Sequence, residues 1–228
     1  MLVRNWMSKP AIAIDAQACL TDAIGLLRKH AISMLPVVEE DQLVGVVSDR
    51  DIKKASAADV GSLETHELLD LISGIKIKAI MTRNPVTVPY NFTIEETALK
   101  LLAHHISGVP VLNQVKQLIG VITKTDIFRA LISLTGIRQK GVQFAFNLQD
   151  RSGSIQEITD MMRGYGAHIS SILTSYDRAK EGYRRMYIRI YGIDRPRLQR
   201  LIEVLKEKTA WLYIVDHEEN RRELVPDE

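Results

Sequence analysis

Ile106-Ser107-Gly108-Val109-Pro110-Val111-Leu112-Asn113, continued by Leu118-Ile119-Gly120-Val121-Ile122-Thr123-Lys124-Thr125-Asp126, is the stretch on which the reading of this chain turns. It starts as a short apolar strand that includes a proline. A polar hairpin, Asn113 to Gln117, leads to a second apolar strand, Leu118 to Ile122. That strand breaks into Thr-x-x-Asp where a helix beginning Ile127-Phe128-Arg129-Ala130-Leu131 takes over. A hydroxyl and a carboxylate at a helix N-terminus can hold an anion and a sugar. Unpaired backbone N–H groups and the positive end of the helix dipole face the anion. The carboxylate accepts two hydrogen bonds from vicinal ribose hydroxyls.

The stretch occurs twice. Residues 32–51 read Ile-Ser-Met-Leu-Pro-Val-Val, a polar hairpin from Glu39 to Gln42, then Leu43-Val44-Gly45-Val46-Val47-Ser48-Asp49-Arg50-Asp51. Pro36 and Pro110 stand 74 residues apart and Gly45 and Gly120 stand 75 apart, so one residue was inserted in the hairpin. Upstream, Met7-Ser8-Lys9-Pro10 matches Met81-Thr82-Arg83-Asn84-Pro85. Each copy of about sixty residues is too small to bury a good core alone, so the two are expected to pack on one another.

The combined pattern, Met-(Ser/Thr)-x-x-Pro, then Ser-x-x-Pro-Val, then Gly-Val-(Ile/Val)-(Ser/Thr)-x-x-Asp, resembles a tandem pair of CBS domains over roughly residues 1–135. The resemblance implies a regulatory module, not an enzyme, whose clefts take adenosine-containing ligands such as AMP, ADP, ATP or S-adenosylmethionine. The ligand is then regulatory and no cofactor is implied.

Composition fits an ordinary globular chain of 228 residues, 46% hydrophobic and 25% charged. Thirty basic and 28 acidic side chains leave a net charge of +2, so no broad basic field points to nucleic acid. The single cysteine, Cys19, excludes an internal disulfide and a cysteine-based zinc cluster. No apolar run is long enough to span a bilayer. The opening Met1-Leu2-Val3-Arg4-Asn5-Trp6 has no signal-peptide core, and a cytoplasmic protein is expected.

Along repeat one, Pro10 to Ile14 alternates as a strand, and a helix from Cys19 to His30 places Leu20, Ala23, Ile24 and Leu27 on one face. In repeat two the strand is Val86 to Val88, and Thr93-Ile94-Glu95-Glu96 is a capping box. Cys19 holds the matching cap position and is expected to cap poorly. Between the repeats, Ala55 to Ser62 reads as loop and Leu63 to Ile72 as a short packing helix.

From Gly141 the pattern changes. Val142, Phe144, Phe146 and Leu148 alternate with polar or small residues as a half-buried strand. Ser154-Ile155-Gln156-Glu157 reads as a second capping box, and Ile155, Ile158, Met161, Met162 and Tyr165 form the inner face of the helix it opens. A strand over Ile169 to Thr174, a polar hairpin over Asp177 to Gly182, and a strand over Met186 to Tyr191 follow. In the last of these Met186, Ile188 and Ile190 alternate with Tyr187, Arg189 and Tyr191. Asp194 caps a helix with Pro196 in its first turn, and Trp211 to Val215 closes the series. The order βαββαβ is that of a ferredoxin-like sheet.

That order, with Asp-x-x-Gly at its first strand–helix turn, resembles an ACT domain over residues 140–217. The resemblance implies an effector site of the amino-acid class at Asp150, Arg151, Ser152, Gly153 and Ser154, with Ser152 where such domains carry proline. Dimerisation through the sheet is the alternative. The expected class is thus α+β: CBS repeats of β-α-β-β-α form over 1–56 and 79–135, a linker helix in 57–78, an ACT domain over 140–217 and a polar tail over 218–228. Two CBS repeats followed by an ACT domain resemble the AcuB-type acetoin utilization proteins. That likeness implies a homodimer acting on a partner enzyme that the residues do not identify. It implies neither a nucleic-acid partner nor a membrane.

In repeat two the expected nucleotide site is Thr123 on phosphate and Asp126 on ribose. Thr87 and Val88 would lie along the adenine edge, Val109 and Pro110 would form the apolar wall, and Lys124 and Arg129 would offset charge. In repeat one the counterparts are Ser48, Asp51, Ala13, Leu35 and Pro36, with Arg50 and Lys53 as nearby cations. The bland reading of Thr123 and Ser48 is helix capping, which the same geometry provides. A scaffold with vestigial sites is the corresponding alternative function. None of the six histidines has metal-ligand spacing, and no nucleophile elbow, Walker loop or His-Glu-x-x-His occurs.

Overall fold

The computed structural model describes residues 1–57 and 74–225, and most of the loop and all of the helix expected over 58–72 lie outside them. The fold is mixed α+β and divides into two compact units, Met1–Ala130 and Leu131–Glu228.

In the first unit, repeat one runs β1 (Ile14–Asp15), α1 (Leu20–His30), β2 (Met34–Glu39), β3 (Gln42–Ser48) and α2 (Asp49–Ala57). After α3 (Ile77–Ile80) and β4 (Thr82–Arg83), repeat two runs β5 (Val88–Pro89), α4 (Ile94–Ala103), β6 (Gly108–Leu112), β7 (Leu118–Thr123) and α5 (Lys124–Leu134). The opening strands are shorter and later than the alternation predicts: only Ile14–Asp15 and Val88–Pro89 pair in parallel with β2 and β6. Residues 55–57, expected as loop, complete α2.

Helix starts follow local chemistry. Thr93 Oγ1 accepts from the Glu96 N–H at 3.1 Å while the Glu96 carboxylate takes the Thr93 N–H at 2.7 Å. At α1 the Cys19 N–H donates to the Asp22 carboxylate at 3.0 Å, one half of a capping box whose other half is the Cys19 side chain on the Asp22 N–H.

The repeats exchange their leading arms, which the division at 56/57 and 78/79 does not anticipate. The first arm belongs to the body of repeat two. Val3 is fully buried there beside Val88 and Val111, the Val3 N–H donates to Phe92 O, and the Ile94 N–H donates to Met1 O. The second arm mirrors it on repeat one: Ile77 is fully buried beside Leu35 and Val47, the Ile77 N–H donates to Ala18 O, and the Leu20 N–H donates to Ile75 O. Each arm then runs along the far edge of the other repeat's hairpin. Ser8 bridges Val121, and Thr82 pairs with Val46. Glycine is required at the crossing. A Cβ on Gly120 would stand 2.8 Å from Met7 Sδ and from Ser8 O, and one on Gly45 would stand 2.6 Å from Met81 Sδ.

The second unit carries β8 (Val142–Gln149), α6 (Ser154–Gly164), β9 (His168–Ser175), β10 (Tyr183–Tyr191), α7 (Arg195–Lys208), β11 (Ala210–Asp216) and β12 (Arg221–Leu224). Its sheet has the order β12-β11-β8-β10-β9. Phe144, Phe146, Met186, Ile188 and Ile190 from the strands meet Ile158 and Met162 of α6 and Leu198, Leu201 and Leu205 of α7 in one core. Asp194 Oδ1 accepts from the Arg197 N–H and caps α7.

Three differences from the sequence reading have local causes. Residues 221–224, expected within a polar tail, form β12 against Tyr213–Asp216. Ser154 is not an N-cap. Gly153 takes that place at φ 84°, and the Ser154 hydroxyl donates back to Arg151 O. Arg189, which alternates with the buried Met186, Ile188 and Ile190 along β10, is itself only 2% exposed. Its guanidinium donates to Thr135 O, Lys140 O and the Gln143 side-chain oxygen, so the 135–140 segment covers its face of β10. Burial draws the Arg189 pKa down from its ordinary value.

Candidate functional site

The duplicated strand-to-helix junctions open into two clefts of the first unit. One, of about 670 Å³, is lined by Thr123, Lys124, Thr125, Asp126 and Arg129 together with Ser8, Pro10–Ile12 and Ile32–Met34. The other, of about 400 Å³, is lined by Ser48, Asp49, Arg50, Asp51 and Lys54 together with Thr82, Asn84–Val86 and Ile106–Gly108, with Pro110 in its wall. Both volumes fall in the range of about 300–1,000 Å³ that small molecules occupy.

Each cleft is a composite, because an exchanged arm carries residues of one repeat to the helix start of the other. Pro10–Ile12 of repeat one face Thr123 and Asp126, whereas Pro85–Val86 of repeat two face Ser48 and Asp51. The expectation had drawn each site from a single repeat. The missing signal was the strand pairing of Ser8 with Val121 and of Thr82 with Val46, which no spacing along the chain encodes.

The expected residues accordingly divide. Asp126 and Lys124 line the larger cleft, Ser48, Asp51, Arg50 and Pro110 line the smaller, and Thr123 borders both. Thr87, Val88, Val109, Ala13, Leu35 and Pro36 line neither. Leu35 and Val88 are fully buried and Val109 is 1% exposed, because their inward strand positions feed the repeat cores. Lys53 also stands outside both clefts and pairs with Asp49 at 3.6 Å. Residues the sequence reading missed are Pro10–Ile12, Met34, Pro85 and Val86.

At both junctions the hydroxyl and carboxylate bind one another. Asp126 Oδ2 accepts from the Thr123 N–H at 2.9 Å and from its hydroxyl at 2.7 Å. Asp51 Oδ2 accepts from the Ser48 N–H at 2.9 Å and from its hydroxyl at 2.6 Å. These are the reciprocal bonds of a helix cap, and they fix each carboxylate at the cleft floor. The second oxygens differ. Asp126 Oδ1 is held by Arg129 at 3.2 Å. Asp51 Oδ1 has no hydrogen-bond partner among the described residues.

In the second unit, Asp150 to Ser154 form the turn from β8 into α6. Arg151 pairs with Glu157 at 2.7 Å, Arg184 lies 3.5 Å from Asp150, and the Ser154 hydroxyl is 2% exposed and accepts from Arg184. A cleft of about 140 Å³ in this unit lies elsewhere, along Arg195, Asp216 and Glu223. No group of three potential metal ligands occurs among the described residues, and none of their helices is long and apolar enough to cross a membrane.

The family model for the CBS domain matches residues 3–58 and 77–133. A CBS domain-containing protein of Dictyostelium discoideum is 31% identical over 135 residues, 59% of this chain and 93% of that one. A solved CBS domain pair in complex with 5′-methylthioadenosine and S-adenosyl-L-methionine is 32% identical, covering 57% of this chain and 95% of that one at a TM-score of 0.49. The structure of a Vibrio cholerae protein assigned to acetoin utilization, AcuB, shares the fold at 23% identity and a TM-score of 0.50, covering 62% of this chain and 97% of that one. The chain also matches part of longer enzymes, and spans only 23% of the L-aspartate semialdehyde sulfurtransferase of Methanocaldococcus jannaschii.

Proposed function

Because the chain belongs to the CBS domain family, we propose that it is a regulatory protein whose clefts sense adenosine compounds. One observation carries this reading. Each cleft ends in a hydroxyl–carboxylate pair fixed at a helix N-terminus, with cations beside it and an apolar wall opposite. Phosphate oxygens are acceptors only, and the first turn of each helix offers donors to them. A ribose diol offers two donors, which a carboxylate accepts. Adenine then packs against Ala11 and Ile12 in the larger cleft, and against Val86, Ile106 and Pro110 in the smaller. Occupancy pulls together the exchanged arm and the helix start. It biases the first unit toward the state that binds the ligand more tightly, by no more than that difference in affinity.

For the second unit we propose the ferredoxin-like ACT assignment. Its βαββαβ core and the left-handed Gly153 at the first turn support it. Asp150 to Ser154 would meet an effector of the amino-acid class there, although their polar groups are engaged with one another and with Arg184. We propose further that the protein acts as a cytoplasmic homodimer on a partner enzyme, with a connection to acetoin utilization. Leu99 and Leu102 on α4, 69% and 64% exposed, are the side chains such a dimer would cover.

A thermal-shift panel of AMP, ADP, ATP, S-adenosylmethionine and amino acids tests the sensing role. A ligand at a hundredfold its dissociation constant adds about 2.7 kcal/mol, which raises the midpoint by several degrees. The self-satisfied Thr123–Asp126 and Ser48–Asp51 pairs favour one rival, a scaffold whose junctions only cap helices. The absence of any shift with every adenosine compound would establish that rival.

A further inference from the structure

Granting that the clefts hold adenosine compounds, we propose that they divide the ligands by charge: the Thr123 cleft takes a phosphorylated adenosine, and the Ser48 cleft takes an adenosine compound without phosphate. The repeats keep Thr123 and Asp126 against Ser48 and Asp51, yet at the first helical residue Lys124 is answered by Asp49. An ammonium has become a carboxylate where a phosphate would sit. With histidine neutral, Lys124, Arg129 and Asp126 give the larger cleft a charge of +1, whereas Arg50, Lys54, Asp49 and Asp51 cancel in the smaller. Lys53 pairs with Asp49, but at 3.6 Å with both side chains more than half exposed it leaves much of that repulsion in place. His30 and His105 are the remaining titratable groups of the two linings.

The free edges of the carboxylates tell the same story. Asp126 Oδ1 is covered by Arg129, so the edge facing the larger cleft is a guanidinium, a donor suited to anions. Thr125 of that lining is answered in the smaller cleft by Arg50, whose charge the neighbouring Asp49 offsets. Asp51 Oδ1, without a partner among the described residues, is an open acceptor for a ribose diol. The volumes agree, about 670 Å³ for the cleft that must also house phosphate and about 400 Å³ for the other.

Isothermal titration of the full chain with AMP and with adenosine decides the matter, using Lys124→Asp and Asp49→Lys as reciprocal variants. Both positions open a helix, Asp49 exposed and Lys124 half-buried, and a circular-dichroism melt verifies that each variant folds. The expected result is one equivalent of AMP bound by the wild type. K124D should weaken AMP about tenfold or more while leaving adenosine unchanged, as loss of a charge-assisted contact and gain of a repulsion require. D49K should admit a second equivalent of AMP. AMP filling both clefts of the wild type equally, or K124D weakening adenosine and AMP alike, would overturn the division of ligands and leave the sensing role standing. A wild type that binds neither compound would likewise overturn the division, whereas the sensing role itself falls only if every adenosine compound of the thermal-shift panel fails to bind.

Discussion

Asp126 and Asp51 do two jobs with two oxygens, and substitution separates them. One oxygen closes the helix cap, and the other is held by Arg129 in Asp126 and has no partner among the described residues in Asp51. Asp126→Ala removes the acceptor for the Thr123 N–H and hydroxyl. It is expected to cost roughly 0.5–2 kcal/mol in urea unfolding, as loss of a cap does elsewhere. Arg129, 65% exposed, loses little by losing this partner. Asp51→Ala should cost a similar amount, and a variant as stable as wild type would show that the cap bonds contribute nothing. Arg189 is the other residue of consequence. Arg189→Met keeps much of the volume but strands the Lys140 carbonyl and the Gln143 side-chain oxygen, while Thr135 O keeps the Ser171 hydroxyl, and an expected loss of about 1–3 kcal/mol follows from the unpaired acceptors. An unchanged unfolding midpoint would show that water satisfies them. Sequence alternation sets Arg189 on the side of β10 opposite Ile188 and Ile190 and reports nothing more. It does not report that the residues after α5 return to cover that side.

At the scale of elements, the helices and hairpins were legible where the signal is local. The Thr93–Glu96 box, the Asp194 cap and the duplicated hairpins all follow from neighbours a few residues apart. The exchange of arms was not, since the Ser8–Val121 and Thr82–Val46 pairings join segments far apart in the chain. Its trace in the sequence is the glycine repeated at Gly45 and Gly120. Glycine to alanine within a strand ordinarily stabilises by about 0.5–1 kcal/mol. Here Gly120→Ala forces a Cβ against Met7 Sδ and Ser8 O, and an expected destabilisation of about 1–3 kcal/mol inverts the usual sign. A stabilised variant would contradict the crossing. In the second unit, β11 and α7 are tied by charge. Burial pushes the Asp216 carboxyl up, but the Arg195 hydrogen bond and the backbone N–H groups of Glu219 and Glu218 outweigh it and hold the group below the usual carboxylate range. A depressed carboxylate contributes stability that is fully present above its unfolded pKa, near about 3.9, and lost as pH falls through the folded value. The melting temperature is therefore expected to drop below about pH 4, and Asp216→Asn should flatten that drop. An equal acid slope in the variant would assign it to other groups.

Across the whole molecule, duplication supplies the architecture and divergence supplies the chemistry. The cores repeat almost residue for residue, with Val3 and Ile77 inserted alike, so the tandem arrangement could be read from spacing alone. The clefts could be read only in part. Their hydroxyls and carboxylates are marked in the sequence, whereas their apolar walls come from the partner repeat and depend on the exchange. If the proposed homodimer covers Leu99 and Leu102, Leu102→Glu is expected to yield a monomer in sedimentation equilibrium, and an unchanged mass would place any interface elsewhere. The account as a whole rests on the clefts being ligand sites. A crystal structure of the full chain grown with AMP tests it most directly. The account predicts nucleotide in the Thr123 cleft, its phosphate at the start of α5 beside Lys124 and its base between Ala11 and Ile12. A well-ordered structure in saturating AMP with both clefts closed by side chains or holding only water would contradict it.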